Sequence, residues 1–84
     1  MITVRVNNWR KVKVTPVIVT GTPTDPVGSE SLLFGRKGFV SEDYETLWID
    51  SKGIDFLYSD TINGKEYAPF DTGDYTFKED VPNV

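Results

Sequence analysis

Residues 45–70 read E-T-L-W-I-D-S-K-G-I-D-F-L-Y-S-D-T-I-N-G-K-E-Y-A-P-F, and they combine dense apolar content with two recognisable turns. Asn63-Gly64 predicts a type I′ hairpin, because that turn requires a positive φ at both central residues. Upstream, the D-S-K-G sequence of residues 50–53 predicts a three-residue hairpin loop closed by a glycine. We therefore expect three successive antiparallel strands in this stretch.

The registers that follow from these turns make residues 54–59 the central strand of a meander with two apolar faces. One predicted face is mainly aromatic and carries Trp48, Ile54, Phe56, Tyr58 and Tyr67. The other carries Leu47, Ile49, Leu57, Ala68 and Phe70. Either the meander is covered on both sides inside a barrel or sandwich, or the aromatic face is a partly exposed protein-binding surface. Tyr and Trp combine a large contact area with a polar tip, so the second interpretation assigns binding to Trp48, Phe56, Tyr58 and Tyr67.

The N-terminal residues predict a second hairpin. Residues 2–6 and 11–15 alternate between apolar and polar side chains, which is the pattern of a half-buried strand. A three-residue loop at residues 7–9 pairs Val4 with Val12 and keeps one face apolar, whereas a two-residue loop would mix the faces.

The outward face of this hairpin is predicted to be basic, because Arg5 then lies opposite Lys11, and Lys13 lies on the same face. Opposed like charges are mildly destabilising, so we expect an anionic group over them, either the chain's own acidic half or nucleic-acid phosphate. A G-R-K-G turn at residues 35–38 presents two more cations. The predicted anion or nucleic-acid contacts are Arg5, Lys11, Lys13, Arg36 and Lys37.

The strand pattern predicts a single all-β domain over residues 1–84, an antiparallel barrel or sandwich of about five to seven short strands. An SH3-like or OB-like barrel is favoured over an immunoglobulin-like sandwich. Pro16 interrupts an apolar run, so we expect a bulge or bend near Thr15-Pro16 that lets one long strand serve two sheets or turn a barrel corner. Residues 20–31 are predicted to be a flexible loop, and residues 79–84 a frayed tail.

The composition argues against catalysis. The sequence has no His and no Cys, which removes the commonest general base, nucleophile and metal ligands. Thirteen carboxylates make some close pairs inevitable, so such a pair carries no specificity. We predict a protein that is not an enzyme and uses no metal or other cofactor. The absence of Cys favours the cytoplasm, and no apolar run reaches the length of a membrane span.

Charge is unevenly distributed along the chain, whose net charge is −4. Residues 1–40 hold six basic and two acidic side chains, whereas residues 41–84 hold three and eleven. We predict a protein-binding module that acts by occupying a surface, as an inhibitor or adaptor. One form of this prediction resembles phage-encoded DNA mimics in charge and size: carboxylates would block a basic, nucleic-acid-binding surface of another protein. The predicted acidic contacts are Glu42, Asp43, Asp50, Asp55 and Asp60.

Two other functions remain open. The basic hairpin, with Trp9 or Trp48 stacking on bases, would suit a small nucleic-acid-binding barrel, although the negative net charge weighs against it. Alternatively, the protein is a structural component of a larger assembly, such as a virion, in which a neighbour covers one apolar face. The sequence does not distinguish the partner or the oligomeric state.

Overall fold

The computed structural model describes residues 1–22 and 33–80, which form seven β-strands and one 3₁₀ helix. The strands are β1 (Ile2–Val6), β2 (Arg10–Gly21), β3 (Lys37–Ser41), β4 (Thr46–Asp50), β5 (Asp60–Ile62), β6 (Lys65–Asp71) and β7 (Thr76–Glu79). The 3₁₀ helix spans Thr72–Asp74. Within the described residues, no helix has the length and apolar content needed to cross a membrane.

The strands form one antiparallel sheet in the order β1-β5-β6-β4-β3-β2-β7. An additional pairing of β1 with β2 closes six of them into a barrel, and β7 extends β2 outside it. The predicted all-β class is confirmed, in its barrel form. Closure of a barrel pairs most strand edges. A barrel strand that lacks a neighbour along part of its length therefore presents unpaired main-chain groups there.

The N-terminal hairpin has the predicted three-residue loop, with Arg5 opposite Lys11. Asn7 and Asn8 have φ angles of 54° and 65°, in the left-handed region that asparagine tolerates better than most residues. The main-chain N–H of Asn7 donates to the carbonyl of Thr61 at 2.7 Å, so the turn is fixed to the start of β5.

β2 has different neighbours along its length. On one edge its first half pairs with β1 and its second half with β7, and on the other edge residues 14–18 pair with β3. The pairing with β3 runs through Pro16 without a register shift, so the predicted bulge is wrong. The irregularity lies instead between Val19 and Gly21, opposite β7. One long strand nevertheless serves two neighbours in succession.

Apolar side chains form two clusters, one on each face of β4. Trp48 points into the barrel, whereas Leu47 and Ile49 point outside, and all three are at most 2% exposed. The interior cluster contains Val4, Val6, Val14, Trp48, Ile62 and Tyr67, with Val12 and Phe39 packed against them. The outer cluster contains Val17, Val19, Leu33, Val40, Leu47 and Ile49, with Ile54, Phe56, Phe70, Tyr75 and Phe77 packed against them. The sheet around β4 is therefore covered on both faces.

The Asn63-Gly64 hairpin is confirmed, with Asp60 opposite Tyr67. The other predicted register is wrong, because residues 54–59 form no strand and β4 pairs with β6 instead. A strand that is covered on both faces needs apolar side chains on both. β6 supplies them over five consecutive pairs with β4. Residues 54–59 carry Asp55, Leu57 and Ser59 on one strand face, so only their other face is continuously apolar.

Residues 51–59 form a covering loop over the outer cluster. The predicted turn at its start is present, and Gly53 has a φ of +81°, which favours glycine. Phe56 then packs on the outer cluster, whereas Leu57 and Tyr58 point into solvent at 88% and 75% exposure.

The predicted loop at residues 20–31 begins later than expected, because Thr20 and Gly21 belong to β2. Residues 23–32, which include most of that predicted loop, lie outside the described residues.

The predicted tail at residues 79–84 also begins later. Glu79 is the last residue of β7, and the main-chain N–H of Asp80 donates to the carbonyl of Pro16 at 2.9 Å. Residues 81–84 lie outside the described residues.

Candidate binding groove

The four aromatic residues predicted to form one binding surface lie in three different places. Trp48 and Tyr67 are buried in the barrel interior. Phe56 packs on the outer cluster, and Tyr58 is exposed on the covering loop. The predicted aromatic surface is wrong in its geometry, because residues 54–59 do not pair beside β4.

Trp48 has a structural hydrogen bond. Its indole N–H donates to one carboxylate oxygen of Asp60 at 2.9 Å, and the side-chain amide of Asn7 donates to the other oxygen at 3.2 Å. A buried indole nitrogen needs such an acceptor. These two bonds tie β4 and the first hairpin turn to the start of β5.

Two of the five predicted acidic contacts are therefore engaged within the barrel. Asp60 accepts the bonds from Trp48 and Asn7, and Asp50 forms an ion pair with Lys65 at 2.9 Å. Burial raises the pKa of Asp50, but the main-chain N–H of Lys52 and the Lys65 ammonium lower it more, so the net shift is downward.

The other three predicted acidic contacts lie at two separate positions. Asp55 is exposed on the covering loop, whereas Glu42 and Asp43 are exposed in the turn between β3 and β4. The fold does not bring the five carboxylates together into one acidic surface.

The predicted basic contacts are divided in the same way. Arg36 donates to the main-chain carbonyls of Asp50 and Lys52, at 3.1 Å and 2.9 Å. Lys37 lies 3.9 Å from the carboxylate of Asp80. These two cations stabilise contacts between loops and strand ends, away from the N-terminal hairpin.

The remaining predicted basic contacts, Arg5, Lys11 and Lys13, are all exposed on the outer face of the N-terminal hairpin. Within residues 1–22 and 33–80, none of the three forms an ion pair. The described part of the acidic half therefore does not cover them.

A groove opens where β2 and β3 separate. The main-chain N–H of Glu42 donates to the carbonyl of Lys13 at 3.0 Å, one step beyond the last ladder pair of the two strands. The chain then turns back, and the carboxylate of Asp43 accepts the N–H of Glu45 at 3.0 Å. Residues 10–12 of β2 continue past this point with no strand beside them on this edge, within the part of the chain that is described.

Lys11 presents its main-chain N–H and C=O to this open edge. Alternate residues of a strand direct these groups to the same side, and Lys13 accepts from Glu42 on this side. On the other side Lys11 faces Arg5, whose N–H donates to the Asn63 side chain and whose carbonyl accepts the Asn63 N–H. Arg5 and Lys11 are thus a non-hydrogen-bonded pair, and among residues 1–22 and 33–80 no partner occupies the Lys11 groups.

The space beside this edge, which we call the β2 groove, has a volume of about 540 Å³. That value falls within the ~300–1,000 Å³ typical of small-ligand sites. The basic rim is Arg10, Lys11 and Lys13, and the opposite rim is Ser41, Glu42 and Asp43. Val12, Thr46 and Trp48 complete the lining, and the first and last of these belong to the interior cluster.

The two rims carry opposite charges. The Ser41 hydroxyl, the main-chain N–H of Glu45 and, more weakly, the charge of Arg10 lower the pKa of Asp43. Asp43 is therefore ionised throughout the neutral range. A ligand in the β2 groove meets cations along the β2 edge and carboxylates on the turn.

Sequence reasoning did not identify this groove. Its rims include four predicted contacts, but the sequence assigned them to separate basic and acidic surfaces: Lys11, Lys13, Glu42 and Asp43. One signal was present. The alternation of residues 11–15 continues as an apolar run to Val19 and is much longer than the strand around residues 39–40, so part of the longer strand must lack that neighbour.

No protein-family model matches the chain, and no curated protein or solved structure shows a significant match to it. Functional inference therefore depends on the groove and on the distribution of charge around it.

Proposed function

We propose that this protein is a non-catalytic binding module that takes an extended peptide segment of another protein along the open edge of β2. The observation that supports this proposal is the N–H and C=O pair of Lys11, which has no partner among the described residues and faces a groove of about 540 Å³. An extended peptide that adds to a strand edge gains affinity from main-chain hydrogen bonds and specificity from alternate side chains. The β2 groove offers both.

The position of the groove suits the addition of a peptide as a further strand. A peptide there continues the line of β3, which leaves β2 after the bond between Glu42 and Lys13. Its inward side chains face Val12 and Trp48, and its outward side chains lie beside the cations of the hairpin. Lys side chains on an open edge also discourage random edge-to-edge association, so the edge accepts a matched peptide more readily than a second flat strand.

This proposal retains the predicted action by surface occupation, as an inhibitor or adaptor. It relies on the β2 groove in place of the acidic surface of a DNA mimic, because Asp50 and Asp60 are engaged in internal contacts. A cytoplasmic location and a phage-type role stay predictions from composition and charge.

Selection of peptide ligands tests the proposal directly. Random twelve-residue peptides displayed on phage are selected against the immobilised protein, and the bound site is mapped by ¹H–¹⁵N NMR shifts. Binders are then measured against Lys11→Pro and Lys11→Ala. Both variants lose the side-chain charge, but only the proline removes the groove-facing N–H. It breaks no bond to β1, because Arg5 and Lys11 are not hydrogen-bonded to each other.

We expect Lys11→Pro to bind selected peptides about tenfold more weakly than Lys11→Ala, which is the effect of losing one well-formed hydrogen bond. NMR dispersion and thermal unfolding verify that both variants fold. Equal affinities of the two variants, or shifts that map away from residues 10–13 and 41–46, would contradict strand addition at this edge.

A second candidate function has its own supporting observation. Trp9 is 77% exposed in the loop of the N-terminal hairpin. The outer face of the same hairpin carries Arg5, Lys11 and Lys13, which form no ion pair with a described residue. Exposed aromatic rings beside cations are the usual platform for single-stranded nucleic acid. The alternative proposal is therefore sequence-tolerant binding of single strands along the outer face of the hairpin.

Fluorescence anisotropy with a labelled twelve-nucleotide oligo-dT at low salt tests this alternative. We expect Arg5→Ala and Trp9→Ala each to weaken binding severalfold, whereas Lys78→Ala and Tyr58→Ala, which remove an exposed cation and an exposed ring elsewhere, leave it unchanged. Affinity should also fall steeply as salt rises. The absence of any anisotropy change at low salt would exclude nucleic-acid binding by this face.

A further inference from the structure

The register of the β2 groove identifies the kind of peptide that fits it. On the basis of the proposed function, we propose that the ligand carries an apolar residue followed directly by an acidic one, with the acidic residue opposite Lys11. One ligand position faces the barrel interior, and the next faces the hairpin cations.

The ligand position is set by the line of β3. Glu42 already occupies the place opposite Lys13. An antiparallel peptide, like every strand pair in this sheet, then places successive residues opposite Val12, Lys11 and residue 10. The residue opposite Lys11 donates its N–H to the Lys11 carbonyl and accepts the Lys11 N–H, as a hydrogen-bonded antiparallel pair does.

The ligand residue opposite Val12 points inward, because opposed residues of an antiparallel pair share a face. Val12 is half-buried against the interior cluster, and Trp48 lines the same groove. An apolar side chain at this position extends the interior cluster and excludes water from it. A charged side chain there would lose part of its hydration against Val12 and Trp48.

The next ligand residue, opposite Lys11, points outward onto the basic face of the hairpin. Lys11 is its direct cross-strand neighbour, Arg5 lies one strand beyond, and Lys13 lies diagonally. On the opposite rim, Glu42 is the one carboxylate that lies in line with the peptide. It is opposite Lys13, two positions away from the ligand residue. Three cations that form no ion pair with a described residue, against one carboxylate, favour an acidic side chain at this position.

The same charges disfavour a second copy of this chain as the occupant. Antiparallel pairing of two β2 edges would bring Lys11 and Lys13 of each copy next to the same residues of the other. Like charges directly opposed across strands are destabilising, and residues 10–13 contain three of them.

Three synthetic pentapeptides that begin opposite Val12 test the inference: acetyl-VDTGG-amide, its Lys counterpart acetyl-VKTGG-amide, and the reversed order acetyl-DVTGG-amide. The readout is the ¹H–¹⁵N shift of the Lys11 and Lys13 amides during titration. The Val-Lys peptide replaces attraction to Lys11 by repulsion at an exposed site, and the reversed peptide turns its Asp inward. We therefore expect the Val-Asp peptide to bind at least about fivefold more tightly than the other two. Methylation of its Asp nitrogen should abolish the shift.

A charge-reversed protein makes the test specific. In Lys11→Glu, which leaves two cations against two carboxylates around this position, the preference for the Val-Asp peptide over the Val-Lys peptide should be lost. Lys78→Glu, which makes the same change in net charge on β7, should keep the original order. Retention of the original preference by Lys11→Glu would overturn the inference.

The remaining outcomes separate the inference from the function on which it depends. Equal binding of the three peptides, with shifts at Lys11 and Lys13, would overturn the apolar-acidic pattern and leave strand addition standing. Shifts confined to other residues, or none with either the pentapeptides or selected peptides, would overturn both. Shifts of the same amides on raising the protein concentration alone would assign the edge to a second copy and would also overturn both.

Discussion

The main-chain N–H of Glu42 donates to the carbonyl of Lys13 at 3.0 Å, and the segments joined by this bond separate immediately beyond it. The bond therefore marks the point at which a closed barrel acquires an open strand edge. On one side the chain turns back through Asp43 into β4, and on the other β2 continues to Arg10. The groove between them follows from the unequal lengths of β2 and β3.

Gly38 is required for the close contact between β3 and β4. A Cβ atom at this position would overlap the main-chain oxygen of Trp48, which cannot rotate away. We expect Gly38→Ala to lower the free energy of unfolding by about 1–3 kcal/mol, as overpacking of a core does. Gly73→Ala is the matched control, since its Cβ meets nothing within 4 Å, and should change stability by less than about 0.5 kcal/mol. Urea denaturation measures both, and equal effects would contradict the model of this contact.

The two tryptophans should differ in fluorescence. Trp48 is 2% exposed in the barrel interior, whereas Trp9 is 77% exposed. In Trp9→Phe the remaining emission should be blue-shifted and resistant to iodide, and in Trp48→Phe it should be red-shifted and readily quenched. The reverse pattern would place Trp48 on the surface and restore the aromatic face predicted from the sequence.

The bond from the Trp48 indole to Asp60 should contribute measurably to stability. A double-mutant cycle with Trp48→Phe and Asp60→Ala gives the coupling energy of the pair. It separates this energy from the cost of the cavity that the smaller ring leaves and from the cost of the lost bond to Asn7. Because the acceptor is a carboxylate group, we expect a coupling energy of about 1.5 kcal/mol in urea denaturation at neutral pH. Additive effects of the two substitutions would show that the bond contributes nothing.

Asp43 should make the protein sensitive to acid. Its pKa is lowered from the ordinary value of 3.8, chiefly by the Ser41 hydroxyl and then by the Glu45 N–H. A folded-state pKa below the unfolded one stabilises the fold fully above the unfolded value, and the effect is lost as pH falls through the folded pKa. Asp43→Ala should therefore melt below the wild type at neutral pH, and the difference in Tm should shrink below about pH 4. A difference independent of pH would argue against this role.

The second hairpin turn should depend on its glycine. Gly64 has a φ of +83° and Asn63 a φ of 51°, as a type I′ turn requires. Gly64→Ala places a Cβ in open space, so any loss of stability comes from backbone strain. We expect this strain to lower the free energy of unfolding by about 1 kcal/mol. Thermal unfolding measures the change. A neutral or stabilising result would contradict the turn assignment.

Local chemistry in the sequence was sufficient for both hairpins. Positive φ at Asn63-Gly64 and the alternation around residues 7–9 each depend on a few adjacent residues, so turn type and register follow without knowledge of the rest of the chain. The same is true of the turn at Gly53. The all-β class and the covering of both faces of β4 followed from the density of apolar residues.

The identity of the strand beside β4 and the existence of the β2 groove were decided by tertiary structure. Residues 54–59 and β6 compete for one place, and β6 occupies it because both of its faces are apolar where both faces are covered. That competition involves residues far apart in the chain, and so does the separation of β2 from β3 after Lys13. A local pattern records which residues can form a strand, whereas the neighbours of a strand depend on the packing of the whole barrel.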